Sequence, residues 1–545
     1  MTKYIKIIAT VIFSIHLISC ENYLSEEGAP KLNYDYYSTP EGVDAIVNAG
    51  YSYLRWGCGG ENMTILNEMG TDLFTEGSDG GNKAAFNQYG SQLNPDNGRF
   101  KDLWENHYKG ISNSNIAIKQ IEGSELSEVL KKVKTAEMKF IRAYLYFDLV
   151  QQFGKIPLVT KGSTEVNTSF KRASVSDVYA QIISDLREAE INLPEEVNSS
   201  MKGKATSFAA AHLLSKVYLT RGSAITENRG QKTTDIDSAL YYSEKVINDG
   251  SYKLLENFSD LWDINNMGNE EVVFAAQFTS NPIFNEGGNK MHVYWTSLYE
   301  DLPGMLRDIY NGRPYRRLQP TAKVYFNLYD RKNDSRLYKS FRWVFYANEE
   351  NSIPKWQVLS DNNGVYFTPD PAKGQIVGNP KFVLGDTAVY YTVDRYNAST
   401  NDPKFKKILA ERYYTYMPYD MYDLAHFPIL IKHWAPNRPS VAELNSSREW
   451  VRMRLGETYL IAAEAAGRKG DYNLAAKYIN TIRERAAWHE GEDKMSQYWN
   501  IEGGIPFDTR STFDEIKISA ETLSSANFVE FILDERAREL LGEVN

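Results

Sequence analysis

Between Lys134 and Gln152, the residues Ala136, Phe140, Ala143, Phe147 and Val150 recur at steps of four, three, four and three. That is the period of one continuous helical stripe. Ile141, Tyr144, Leu145 and Leu149 add a second apolar set, so this helix must be covered on two sides, and Gly154 and Pro157 stop it. The pattern returns. Ser174-x-x-Asp177 has the form of a capping box and opens a helix with Val178, Ile182, Leu186, Ala189 and Leu193 on one face, stopped at Pro194. Thr206 caps the next, where Ala209, Ala210 and Ala211 admit a close neighbour and Gly222 ends the run. A partner spans about 235–248. Farther on, Val451, Leu455, Tyr459, Ala462 and Ala466 form one stripe, Gly470-Asp471 the turn, and Leu474, Ala475, Tyr478 and Ile482 the return. A helical hairpin cannot bury its apolar face alone, so several must pack together. The expected fold is mostly α, a scaffold of irregularly spaced, tetratricopeptide-like helix pairs.

From about residue 251 to 447 this periodicity breaks. Most of the 19 prolines fall there, among short strand-like pieces such as Glu271–Phe278, Val389–Val393 and Phe427–Ile431. Irregular inserts on a rigid scaffold are where function is usually carried. Residues 41–545 therefore read as one α-helical body with an inserted loop-rich lobe, not as two independent domains.

The N-terminus reads as an address. Two lysines precede a stretch from Ile7 to Ile18 broken only by Thr10, Ser14 and His16. That is short of the roughly 20 residues a spanning helix needs, and suits a signal-peptide core. Leu17-Ile18-Ser19-Cys20 has the form of a bacterial lipobox. Residues 1–19 are thus expected to be a lipoprotein signal peptide, Cys20 the acylated first residue of the mature chain, and residues 20–40 a lipidated arm to the membrane. Cys58, the second of two cysteines, then has no partner within the chain.

The formal charge of −10, with no basic run interleaved with aromatics, argues against nucleic acid. The seven histidines show no HExxH or comparable metal-ligand spacing, and there is no phosphate loop or GxSxG elbow. Gly57-Cys58-Gly59-Gly60 follows a helical pattern rather than a strand. Glu457 and Glu464 share a helix face, and ion pairing to Arg452, Arg454 or Arg468 accounts for them. No catalytic constellation, metal site or cofactor is expected, although two carboxylates at about 5 to 10 Å would suffice for a glycosidase.

The sequence MHVYWTSLYEDLPGMLRDIYNGRPY, from Met291 to Tyr315, holds Tyr294, Trp295, Tyr299, Tyr310 and Tyr315 between prolines and glycines. Neither period 2 nor period 3.6 accommodates all five. An aromatic face stacks against the C–H face of a sugar, and an arginine or amide can hold its hydroxyls. Trp295, Tyr299 and Tyr315, with Arg313 on the hydroxyls, are the expected glycan surface. Trp56, Phe74 and Tyr89 are expected to contribute from the loop between the first two helical segments.

Several stretches resemble the SusD/RagB family in order along the chain. They include LWENHYKGISNSNIAI, AEMKFIRAYLYFDLVQQFGKIPLVT, RASVSDVYAQIISDLREAEINLP, GKATSFAAAHLLSKVYLTRG, RPYRRLQPTAKVYFNLYDRKNDSR, RMRLGETYLIAAEAAGRKGDYNLAAKYINTIRERAA and FILDERARELLGE. The resemblance implies a non-enzymatic lipoprotein of the outer membrane, exposed at the cell surface. It would bind polysaccharide or oligosaccharide and deliver it to a TonB-dependent, SusC-like transporter. A lipid-anchored glycoside hydrolase and a helical-repeat adaptor that binds only protein are the alternatives. The family continues beyond ERARELLGE, so the sequence ending at Asn545 reads as truncated. Its last helix, Phe528 to Leu541, is then expected to leave apolar surface uncovered.

Overall fold

The apolar stripes become helices, and side-chain caps set where most of them begin. The computed structural model describes residues 34–544, apart from 80, 82, 163–168, 199–200, 286, 493 and 495–509. The leader, Cys20 and the first part of the arm lie outside the described residues. The long helices are α1 (Pro40–Ser52), α2 (Gly98–Glu122), α3 (Glu128–Phe153), α4 (Val175–Asn192), α5 (Ser207–Gly222) and α6 (Asp235–Asp249). They continue, beyond the lobe, as α7 (Leu455–Arg468), α8 (Tyr472–Ala486) and α9 (Phe528–Leu540). Ser174 Oγ accepts from the Asp177 N–H at 3.1 Å and donates to its carboxylate at 2.6 Å, which opens α4. Thr206 caps α5 in the same way through Ala209 N–H, at 3.1 Å. Both apolar sets of α3 are buried, and Gly154 ends it at φ +66°, where a side chain would be strained.

Each helix from α2 to α7 packs on the next, and α9 packs on α7. Arg142 of α3 pins two of these contacts: its Nε and Nη2 donate to Asp185 of α4 at 2.8 and 2.7 Å, and its Nη1 donates to Asn115 of α2 at 2.6 Å. The sequence between α6 and α7 does not interrupt the stack, since α6 lies directly against α7. The lobe is therefore looped out, and its neck is a two-stranded antiparallel ribbon. Val272–Ala276 enters and Trp450–Arg454 returns, paired as Trp450↔Ala276 and Arg454↔Val272. This revises the expected stripe, because Val451 lies on the ribbon and the helix begins at Leu455. Glu457 also differs from expectation: it pairs with Lys216 at 2.8 Å and His212 at 3.1 Å, whereas Glu464 does meet Arg468. Inside the lobe the strands are short, the largest sheet having three, Val344–Tyr346, Thr387–Tyr391 and Thr415–Met417.

A buried ion network closes the neck. Arg454 Nη1 donates to Glu271 at 2.8 Å and to Glu539 at 2.7 Å, while its Nε and Nη2 grip Glu543 at 2.8 Å. Arg336 of the lobe reaches Asp334, Glu535 and Glu539, and Lys432 of the lobe reaches Glu543 at 2.8 Å. Arg485 of α8 joins Glu271 and Glu539. Burial by itself would raise the Glu539 carboxyl, yet Arg485, Arg454 and Arg336 hold it well below the ordinary carboxylate range.

The same network covers the end of α9. Leu541 and Val544 are buried, and His433 donates from Nε2 to the Gly542 carbonyl at 2.7 Å. The expectation of uncovered apolar surface is thus corrected beyond the helix, at Leu541 and Val544, whereas Val529 and Leu533 of α9 are exposed. Arg454→Met would leave buried carboxylates without their cation, a loss worth about 3–5 kcal/mol. Chemical denaturation should show a drop of that size, and a drop below about 1 kcal/mol would contradict the role given to this arginine.

Candidate functional site

The Met291–Tyr294 helical turn faces inward, and the aromatic residues that follow go in with it. Trp295 is 1% exposed, edge-on to Phe74 at 4.7 Å and stacked on His433 at 5.9 Å. Burial pushes the His433 imidazole down to about 4, so the ring beneath Trp295 is neutral at pH 7. Tyr299 and Phe74 are 0% exposed. These three were expected to face a ligand, and the structure corrects that. A pleated or helical segment entering the core carries its aromatics with it, and clustering in sequence does not reveal the direction.

Trp56 is half-buried, edge-on to His107 at 5.8 Å. Tyr89 is exposed at 64% and donates its hydroxyl hydrogen to the Gly70 carbonyl. Tyr315 is half-buried, with Arg313 at 5.6 Å and Arg317 at 5.3 Å over its ring. Arg317 is neutralised by Glu61 and by Asp79 at 2.9 Å. Of the expected surface, then, Tyr315 and Arg313, both half-buried, are brought together, whereas Trp295 and Phe74 meet in the core.

The most developed surface site lies five residues before Tyr315. Tyr310 is 55% exposed and meets half-buried Trp434 at 4.9 Å and 78°. Trp434 donates from Nε1 to the Tyr310 carbonyl, which fixes the indole. The Arg342 guanidinium lies 4.5 Å over the Tyr310 ring and 5.3 Å over the Trp434 ring. Its Nη1 donates to the Tyr310 carbonyl at 3.2 Å and to Asn311 Oδ1 at 2.8 Å. Burial draws Arg342 below the usual guanidinium pKa. Strand alternation accounts for its position. Phe341, Trp343 and Phe345 are buried, whereas the alternate residues Arg342 and Val344 are half-buried and Tyr346 is exposed at 52%.

The misassigned aromatics support this surface from below. Tyr299 donates to the Gly312 carbonyl at 2.7 Å and accepts from the Asp308 N–H at 3.2 Å, holding the loop that carries Tyr310. Trp295 supports His433, the neighbour of Trp434. Arg438, buried, donates to the carbonyls of Ile309 at 3.1 Å, Ala435 at 3.0 Å and Glu443 at 2.7 Å, tying together the two loops that bear the rings. Five extended residues span at most about 18 Å, which bounds the backbone separation of Tyr310 and Tyr315. Among the described residues, no three His, Cys, Asp or Glu side chains converge as metal ligands would.

Residues 38–219 match the family described as "Starch-binding associating with outer membrane", and residues 270–545 the one described as "SusD family". The chain belongs to the SusD family. Across 99% of its length it is 23% identical to SusD-like protein P25 of Formosa agariphila, covering 88% of that protein. It shares 31% identity with the starch-binding protein SusD of Bacteroides thetaiotaomicron over 189 residues, 35% of this chain and 31% of that protein. A laminarin-binding SusD-like protein of known structure has the same fold, with a TM-score of 0.60 at 22% identity over 93% and 90% of the two chains. SusD-family proteins associate with the outer membrane and bind carbohydrate rather than transform it. No helix among the described residues is long and apolar enough to cross a membrane.

For this SusD-family chain, the packing implies that Trp295→Ala acts on stability. Removing a fully buried Trp costs about 3–5 kcal/mol. A thermal melt left within a degree or two of wild type would put Trp295 back on the surface.

Proposed function

We propose that this chain binds polysaccharide or oligosaccharide on the Tyr310–Trp434–Arg342 surface, without hydrolysing it. From there it passes the glycan to a TonB-dependent outer-membrane transporter. The observation that carries the reading is the pair of surface rings set at right angles and locked by a backbone hydrogen bond. Rings held in place lose little freedom on binding. A shallow surface buries little area, so affinity falls in about the micromolar to millimolar range. Tyr315 with Arg313 extends the same surface, and Tyr89 and Trp56 are secondary candidates. The carbohydrate class is supported by the names of the relatives, one starch-binding and one laminarin-binding. The transporter and the surface location rest on family membership.

Trp434→Ala and Tyr310→Ala should each weaken retention in polysaccharide affinity gels by at least about tenfold, or about 1.4 kcal/mol, with melting temperatures within a few degrees of wild type. Undiminished retention in both variants would remove the site from this surface. Incubation with the retained polysaccharide should release no new reducing ends.

We further propose that Cys20 is acylated and tethers the mature chain at the outer membrane, with residues 20–40 as the arm. Cys20→Ala should shift the protein from the membrane to the soluble fraction, or leave it unprocessed. Recovery of the variant in the membrane fraction at the wild-type apparent mass would contradict the tether.

A further inference from the structure

Several arginines of this chain are already paired with carboxylates. Arg307 is paired with Glu300, Arg317 with Glu61 and Asp79, and Arg229 with Glu227. Their charge is already answered. Arg342 and Arg395 differ. Arg342 lies over Tyr310 and Trp434, and Arg395, which is exposed, lies 5.3 Å over Phe326 and 5.4 Å over Tyr419. Phe326 and Tyr419 are themselves edge to face at 4.7 Å and 87°. Neither arginine reaches a carboxylate within ion-pair distance among the described residues, and neither does Arg313 over Tyr315. The acid nearest to the site, Asp308, accepts from Asn311 N–H at 2.6 Å, Asn311 Nδ2 at 3.0 Å and Asn348 Nδ2 at 2.7 Å. It is held by amides and makes no direct ion pair with Arg342, although its charge acts on the guanidinium.

A neutral sugar needs a ring to stack on and amides for its hydroxyls; it does not need a cation. A guanidinium stacked on an aromatic face has its plane fixed and its outer N–H edge turned away from the ring. That edge matches a carboxylate or a sulfate in a bidentate way. At Arg342, Nη1 is committed to the Tyr310 carbonyl and Asn311, which leaves Nε and Nη2 for a ligand. The charge balance agrees. Residues 251–447 hold as many Lys and Arg as Asp and Glu, so the net charge of −10 arises outside the lobe. A polyanion approaching the lobe is not repelled there as it would be over the scaffold.

Resting on the carbohydrate-binding reading above, we propose that the glycan taken by this surface is anionic, its carboxylates or sulfate esters held by Arg342 and, on a separate patch, by Arg395. The test uses the full chain in affinity gels with two matched pairs: polygalacturonate beside fully methyl-esterified pectin, and κ-carrageenan beside agarose. Laminarin gels serve as a further neutral polymer. Wild type should be retained at least about tenfold more strongly by one charged polymer than by its neutral partner, and added NaCl should weaken that retention. Preference within the first pair assigns a uronate, and within the second a sulfate ester. Arg342→Gln should lose most of the preference while its melting temperature stays within a few degrees. Arg395→Gln provides a second variant, expected to lose part of it, should Arg342→Gln fold poorly. Equal retention within both pairs, or a preference untouched by both substitutions, overturns the inference. If laminarin alone is retained, through Trp434, the anionic class fails while glycan binding stands. If no polymer is retained, both fail.

Discussion

A single guanidinium holds the architecture together. Arg454 sits where the chain returns from the lobe to the scaffold, and it touches Glu271 just before the outgoing strand and Glu539 and Glu543 at the end of α9. Arg336 and Lys432 bring two separate parts of the lobe to the same carboxylates, and Arg485 brings α8. Burying so many charges is tolerable only if every one is paired, because an unpaired ion in the interior is penalised far more than a pair is rewarded. The network therefore acts less as a source of stability than as a condition on assembly. Lobe, neck, scaffold and last helix must all be in position at once, or several ions are stranded. That is a physical reason for treating the lobe as part of one body despite its irregular structure.

The surface aromatics inherit their rigidity from this seam. His433 lies beside Lys432 in sequence, donates to Gly542 and stacks on Trp295, so the turn that presents Trp434 is anchored to the end of α9. On the other side, the Tyr299 phenol, kept protonated because burial raises its pKa well above the usual value, holds the Asp308–Gly312 loop. The rings that could meet a ligand are thus supported by rings that cannot. Pre-organisation of this kind reduces the ordering that binding would otherwise require.

Helix stripes were legible in the sequence because period 3.6 survives any tertiary arrangement: the two apolar sets of α3 are buried as written. The neck was harder to read. Arg452 and Arg454 are buried on the returning strand, so local pattern reasoning counts its inner side as polar and runs the helix back through Val451. The site was partly legible. The segment from Met291 to Tyr315 does carry Tyr310 and Tyr315, but aromatic clustering marks the floor of a surface as readily as the surface. What separates Trp295 from Tyr310 is the arrival of Trp434 from 124 residues away, and no local signal contains that. The alternation of Phe341 to Tyr346 offered one further clue, since it places Arg342 and Tyr346 on the side opposite three large apolar residues.

The central claim is that the lobe offers a pre-formed aromatic platform at Tyr310 and Trp434. A crystal structure of the protein with an oligosaccharide cut from whichever polymer it retains tests this most directly. The account requires a sugar ring stacked at van der Waals distance, about 4 Å, on one of these two side chains, with their rotamers unchanged from the free protein. A sugar bound elsewhere, with Tyr310 and Trp434 untouched, would contradict it.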